Sequence, residues 1–187
     1  MRAQPEATVF SLSQNDNREY CQCERCEALA RAEETQMAPL LHLVNRVAEA
    51  VEKEFPDKIV ETLAYQWSRR PPKAMRLRPN VVIRLCDIEC CFAHPLASGC
   101  TPRNQAFVAD LQAWSKKCDR LWIWDYTTNY AHYLLPMPNK RLLDDNIRLF
   151  AANRVKGVFE QGTYDTPDSD LAALKAWARA ATRNGTQ

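Results

Sequence analysis

The sequence predicts an α/β protein in which short apolar strands alternate with amphipathic helices and pair as a parallel sheet. Three observations point there. Apolar runs such as Val81-Val82-Ile83 and Leu121-Trp122-Ile123-Trp124 lack polar alternation, as expected of strands covered on both faces. Helical spacing of apolar residues recurs between most of these runs, and right-handed crossovers would then lay the strands down parallel. Polar and acidic side chains gather where the runs stop, which is where α/β barrels and open α/β sheets place their sites.

Taken in order, Thr8 to Ser13 is a first strand ending in the polar cluster Gln14-Asn15-Asp16-Asn17. Glu19 to Glu34 reads as a helix or helical loop that carries Cys21, Cys23 and Cys26. A clearer helix spans Pro39 to Phe55, where Leu40, Val44, Val47, Val51 and Phe55 recur at helical spacing and Pro39 suits the first turn. Pro56-Asp57 stops it. Ile59 to Trp67 is the second strand and Val81 to Cys86 the third, followed by Asp87-Ile88-Glu89. Ser68 to Asn80 leaves no room for a full helix, so that connection is a long loop or a short turn.

Asn104 to Cys118 forms the next helix through Phe107, Leu111, Trp114 and Cys118, and it leads into the Leu121–Trp124 strand, which stops at Asp125. Beyond the break at Pro136-Met137-Pro138, Leu142 to Asn153 is helical through Leu143, Ile147 and Phe150. Val155 to Phe159 is a fifth strand ending in Glu160-Gln161-Gly162, and Thr166-Pro167 opens a final helix as N-cap and first residue. A (β/α)8 barrel takes about 250 residues. If the sheet is a barrel, this chain holds little more than half of it.

Composition narrows the function classes. The 187 residues carry a formal charge of +2 and 46% hydrophobic residues, an ordinary composition for one globular domain, here residues 1–187. The densest basic run, Arg69 to Arg78, is interleaved with prolines and reads as an exposed loop, which argues against a nucleic-acid partner. No apolar segment approaches the roughly 20 residues that span a bilayer, and the first residues lack the apolar core of a signal peptide. Oligomeric state is not legible.

Eight cysteines are many for a cytosolic enzyme and few for a disulfide scaffold, so spacing matters more than number. Cys21, Cys23 and Cys26 form C-x-C-x-x-C, whose thiolates could converge on a structural zinc. A fourth ligand would have to come from Cys86, Cys90, Cys91, Cys100 or His94, if the fold brings one near. A disulfide and packed free thiols are the other readings. Cys118, at a helix end, fits the core.

Four of the five predicted strand ends carry a carboxylate: Asp16, Asp87 with Glu89, Asp125, and Glu160. Parallel strands covered by helices have one end where such groups gather, so these acids are expected to face one cavity. Glycoside hydrolysis uses that equipment, with one carboxylic acid protonating the leaving oxygen and a second carboxylate acting as base or nucleophile. Trp67, Trp124, Tyr126, Tyr130 and Tyr133 offer apolar faces for sugar rings, Asn15, Gln66, Asn129 and Gln161 offer hydroxyl partners, and His94 a further ligand or proton donor. No cofactor is required by such chemistry. Each residue also has a plainer reading: Trp122 as core, His42 as structural, Arg84 as the partner of a strand-end acid rather than of a substrate carboxylate.

These stretches resemble a known family. Ser13-Gln14-Asn15-Asp16-Asn17, the cysteine triplet, Leu63-Ala64-Tyr65, Arg84-Leu85-Cys86, Ile88-Glu89-Cys90-Cys91-Phe92 with His94-Pro95, Ile123-Trp124-Asp125-Tyr126 with Asn129, and Gly157 with Phe159-Glu160-Gln161-Gly162 look like the bacterial domain of unknown function 4838. That family is similar to glycosidases of the (β/α)8-barrel type, near α-glucuronidases and the hexosaminidase-like group. The resemblance implies a partial TIM-type barrel of about five parallel strands, a fragment of a longer chain, and O-glycosyl hydrolysis of a complex glycan by a periplasmic or secreted enzyme. By analogy with related barrels it favours Asp16 as general acid, with Asp125 and Glu160 as base or nucleophile and Asp87 and Glu89 next. The alternative is a non-catalytic carbohydrate-binding module, or one stabilised by zinc or disulfides.

Overall fold

The computed structural model describes residues 1–127, 130 and 140–162. The predicted helix from Thr166, the Pro136–Pro138 break, Asn129 and Tyr133 lie outside them. Five strands, β1 (Val9–Ser11), β2 (Ile59–Ala64), β3 (Val81–Cys86), β4 (Leu121–Tyr126) and β5 (Gly157–Gln161), form one sheet in the order β1-β2-β3-β4-β5. The helices are α1 (Glu24–Glu33), α2 (Met37–Glu54), α3 (Pro102–Lys117) and α4 (Lys140–Ala152). Strands β1 and β2, β2 and β3, and β4 and β5 pair parallel. The Ile83 N–H donates to Arg120 O and the Asp87 N–H to Trp124 O, both at 3.3 Å, so β3 and β4 also advance together. Strictly sequential parallel order is that of a partial (β/α) barrel; a doubly wound sheet would reverse direction at a switch point.

The chain divides into two units, Met1–Cys86 with Lys116–Leu121, and Asp87–Ser115 with Trp122–Gln187. In the first, α2 lies on β2 and β3, and α1 lies on α2. The α2 stripe is Met37, Leu41, Val44, Ala48 and Val51, facing Val60, Ala64, Ile83 and Leu85. Leu40 and Val47 are only half-buried and His42 is exposed, so the stripe is rotated from the predicted one. The long β2–β3 loop is tied down by polar side chains. The Glu33 carboxylate accepts from the Ala74 and Met75 N–H groups at 2.7 and 2.9 Å, and the Asn45 side chain bonds Arg76 O and the Arg78 N–H at 2.9 and 3.1 Å. These bonds replace the ladder such a loop cannot form.

In the second unit α3 buries Phe107, Leu111 and Trp114, and α4 buries Leu143, Ile147 and Phe150, with Ile123 of β4 fully buried. Gly157 sits where an added Cβ would meet the Trp122 ring at 3.2 Å, a tight approach at which the ring would have to give by a few tenths of an ångström.

Element limits differ from expectation in informative places. Strand β2 ends at Ala64, and Gln66 and Trp67 belong to a 3-10 turn (Gln66–Ser68) in which Gln66 has φ 50°. Helix α4 terminates through Arg154 at φ 59° with the Val155 N–H returning to Phe150 O at 3.1 Å, so Val155 closes a helix instead of starting a strand. Consequently β5 runs on to Gln161, and Glu160 lies within it. Helix α1 starts only at Glu24, with Cys23 as its N-cap, so Cys26 alone of the triplet is helical. None of the eight cysteines is in a disulfide.

Candidate functional site

Three carboxylates line up across the second unit. Asp125 pairs in register with Glu160, and the Asp87 N–H bond to Trp124 O sets Asp87 beside Asp125. Neighbouring strands lie about 4.8 Å apart, so the acids form a row along the sheet. Asp87 is 0% and Asp125 2% exposed, and neither Glu160 carboxylate oxygen touches solvent.

Burial, then the charge and hydrogen bond of Asp125 and the charge of Glu160, push the Asp87 carboxyl well above the ordinary range. Burial raises Asp125 to about 6, against the opposing pull of the Tyr126 N–H, which donates to Oδ1 at 2.7 Å, and of the bond from Asp87. Both shifts run upward, so the two carboxyls titrate as one coupled pair that retains a proton above the ordinary carboxylate range. Apart from each other and the Asp87 backbone N–H, the Asp87 carboxyl and Oδ2 of Asp125 have no hydrogen-bond partner among the described residues.

Strand alternation puts Asp125 and Glu160 on the face of Ile123 and Val158, with Trp124, Tyr126, Phe159 and Gln161 on the other. There the rings form a cluster, with Trp124 to Phe159 at 4.6 Å between centroids, Trp124 to Tyr126 at 6.4 Å and Tyr126 to Tyr130 at 6.0 Å. Trp124 Nε1–H donates to Gln161 Oε1 at 2.9 Å. Acids and aromatics of β4 and β5 thus stand back to back across the backbone.

The first unit holds a different set. Asp16 is exposed and accepts from the Tyr65 hydroxyl at 3.1 Å, while Gln66 Nε2–H donates to that hydroxyl at 2.9 Å. Trp67 is held by an Nε1–H bond to Asn17 O at 3.2 Å and by Tyr20, whose ring centroid lies 5.4 Å away. Trp67, Tyr20, Gln14, Asn15, Asn17 and Leu43 line a cleft of about 600 Å³. Arg84 pairs with Glu61 at 3.1 Å, with side-chain exposures of 19% and 5%. Glu61 was not a sequence candidate; its signal is a lone acid inside the apolar strand Ile59 to Ala64.

Among the described residues, two groups offer metal ligands. Cys21, Cys23 and Cys26 form one, and Cys91, His94 and Cys100 the other, each with its ligand atoms within 4.8 Å of one another. The Cys23 thiol is lowered to about 7, first by the Cys26 backbone N–H, while hydrogen bonds with Cys21 and then Cys23 raise Cys26 to about 12. Cys91 is lowered to about 7, chiefly by His94. Glu89 is exposed.

Fold and site together define an α/β protein of partial-barrel type with buried acids at adjacent strand ends. The chain belongs to the family described as Domain of unknown function (DUF4838), which matches residues 1–181. No curated protein and no solved structure matches it.

Proposed function

We propose that the protein is a glycoside hydrolase that cleaves O-glycosidic bonds of a complex glycan with the carboxylates of its second unit. The observation that carries this is the buried row of Asp87, Asp125 and Glu160 across neighbouring strands, where burial and mutual proximity favour a retained proton. Glycosidic cleavage needs a carboxylic acid that keeps its proton near neutral pH and a second, ionised carboxylate. Asp87 and Asp125 titrate as a pair and deliver the proton to the leaving oxygen. Glu160, one strand further, is the carboxylate that faces the developing positive charge at the sugar carbon. Asp16, exposed and bound by Tyr65, suits holding a sugar hydroxyl better than moving the proton.

A second reading is a non-catalytic carbohydrate-binding module. It is favoured by the open cleft of the first unit, where one tryptophan face and four amide side chains offer what a sugar needs, while Asp87 and Asp125 are shielded from water.

Aryl glycosides and glycan fragments separate the two. A hydrolase loses at least about 100-fold in kcat with Asp125→Asn, the fold remaining intact by circular dichroism. Glycan retention without turnover, abolished by Trp67→Ala, establishes the binding module instead. Neither turnover nor retention overturns both.

A further inference from the structure

The loop between β3 and α3 brings together two thiols and an imidazole that the carboxylate chemistry does not use. Cys91 Sγ lies 3.5 Å from His94 Nδ1, and Cys100 Sγ is within 4.8 Å of both ligand groups. A tetrahedral zinc with Zn–S of about 2.3 Å and Zn–N of about 2.0–2.1 Å sets its sulfur and nitrogen about 3.6 Å apart and two sulfurs about 3.8 Å apart. The Cys91–His94 edge already has that length. The Cys100 edges need to close by no more than about 1.2 Å, which one side-chain rotation supplies.

The backbone is held as a ligand scaffold must be. The fully buried Asn104 accepts the Cys91 N–H at 2.8 Å and donates to Cys91 O at 3.5 Å, and the Thr101 hydroxyl fixes the same Asn104 oxygen at 2.9 Å. Asn146 accepts the Leu96 N–H at 3.0 Å in the middle of the loop. Gly99, at φ 61°, makes the turn that returns Cys100, whose N–H donates to Ser98 Oγ at 3.3 Å. Two buried asparagines from two helices thus pin the segment that carries all three ligands.

We propose that Cys91, His94 and Cys100 form a mononuclear zinc site whose fourth position is open to water. Thiolate and imidazole select a soft or borderline ion such as Zn²⁺ over Mg²⁺ or Ca²⁺, which take oxygen ligands. His94 and Cys100 are exposed and Cys91 half-buried, so an ion held there faces solvent on one side.

The test titrates the reduced full chain with Zn²⁺ and with Co²⁺ as a coloured reporter, after Cys21→Ser, Cys23→Ser and Cys26→Ser have removed the other thiol group. One equivalent should bind with a two-thiolate charge-transfer band. Cys91→Ser or Cys100→Ser should roughly halve that band, and His94→Ala should weaken Zn²⁺ binding by more than the roughly 10–100-fold that loss of an outer ligand partner costs. If the triple variant does not fold, X-ray absorption of the zinc-loaded wild-type chain must show a nitrogen ligand that His94→Ala removes. Loss of all binding in a folded triple variant overturns the site, as does a Co²⁺ spectrum indifferent to Cys100→Ser. A zinc-loaded wild-type spectrum indifferent to His94→Ala, or a Cys91–Cys100 disulfide that persists under reductant, overturns it equally.

Discussion

Glu61 in the first unit and Asp125 in the second are both buried acids inside parallel strands, yet their surroundings are opposite. Glu61 has Arg84 at 3.1 Å, so its charge is answered where it stands. Asp125 and its neighbour Asp87 have no cation within pairing distance among the described residues, and they answer each other with a proton. An acid beside a cation is held in an ion pair and serves the fold. Acids without one hold a proton at a stability cost, which a protein retains where proton transfer is used.

The largest expected effect breaks the paired side. Arg84→Met leaves the Glu61 charge buried and uncompensated and should cost about 3–5 kcal/mol in chemical denaturation. Adding Glu61→Gln should restore most of it.

The unpaired side should respond in the opposite direction. Asp125 rises from 3.8 to about 6 in the folded chain, so between these values the folded state binds more protons than the unfolded state. Its stabilising contribution is complete below pH 4 and is lost as pH rises towards about 6. Asp125→Asn keeps an acceptor for the Tyr126 N–H and removes the buried charge. It should therefore stabilise the fold at pH 8 by on the order of 2 kcal/mol, with the gain vanishing below about pH 4. A melting series across pH checks the sign.

A smaller effect probes the sheet beneath the acids. Gly157→Ala presses a methyl onto Trp122 at 3.2 Å and should cost about 1–3 kcal/mol by thermal melting. It should leave the Asp125 titration in place, because Gly157 is on the aromatic face.

Much of the fold was legible because apolar runs and helical stripes report burial directly. Strands β3 and β4 and the stripes Phe107–Leu111–Trp114 and Leu143–Ile147–Phe150 follow from pattern alone. The end of β2 did not, because Tyr65 and Trp67 continue a strand-like composition through a turn set by the backbone of Gln66. The start of β5 failed similarly, since Val155 was taken up by the end of α4.

In the candidate site, the acids of adjacent strand ends were readable as a group. What composition hid was side: once β4 continues through Asp125 to Tyr126, alternation sends Trp124 and Asp125 to opposite faces. The Glu61–Arg84 pair and the convergence of Cys91, His94 and Cys100 depend on strand register and on a loop folding back, neither of which spacing encodes.

The most direct test is a carbon-13 carboxyl NMR titration of the aspartates in the full chain, wild type beside Asp87→Asn. Asp125 should titrate near 6 while Asp87 stays protonated well above the ordinary 3.8. Both carboxyls titrating independently near 3.8 would contradict the retained proton, and with it the assignment of these acids to catalysis.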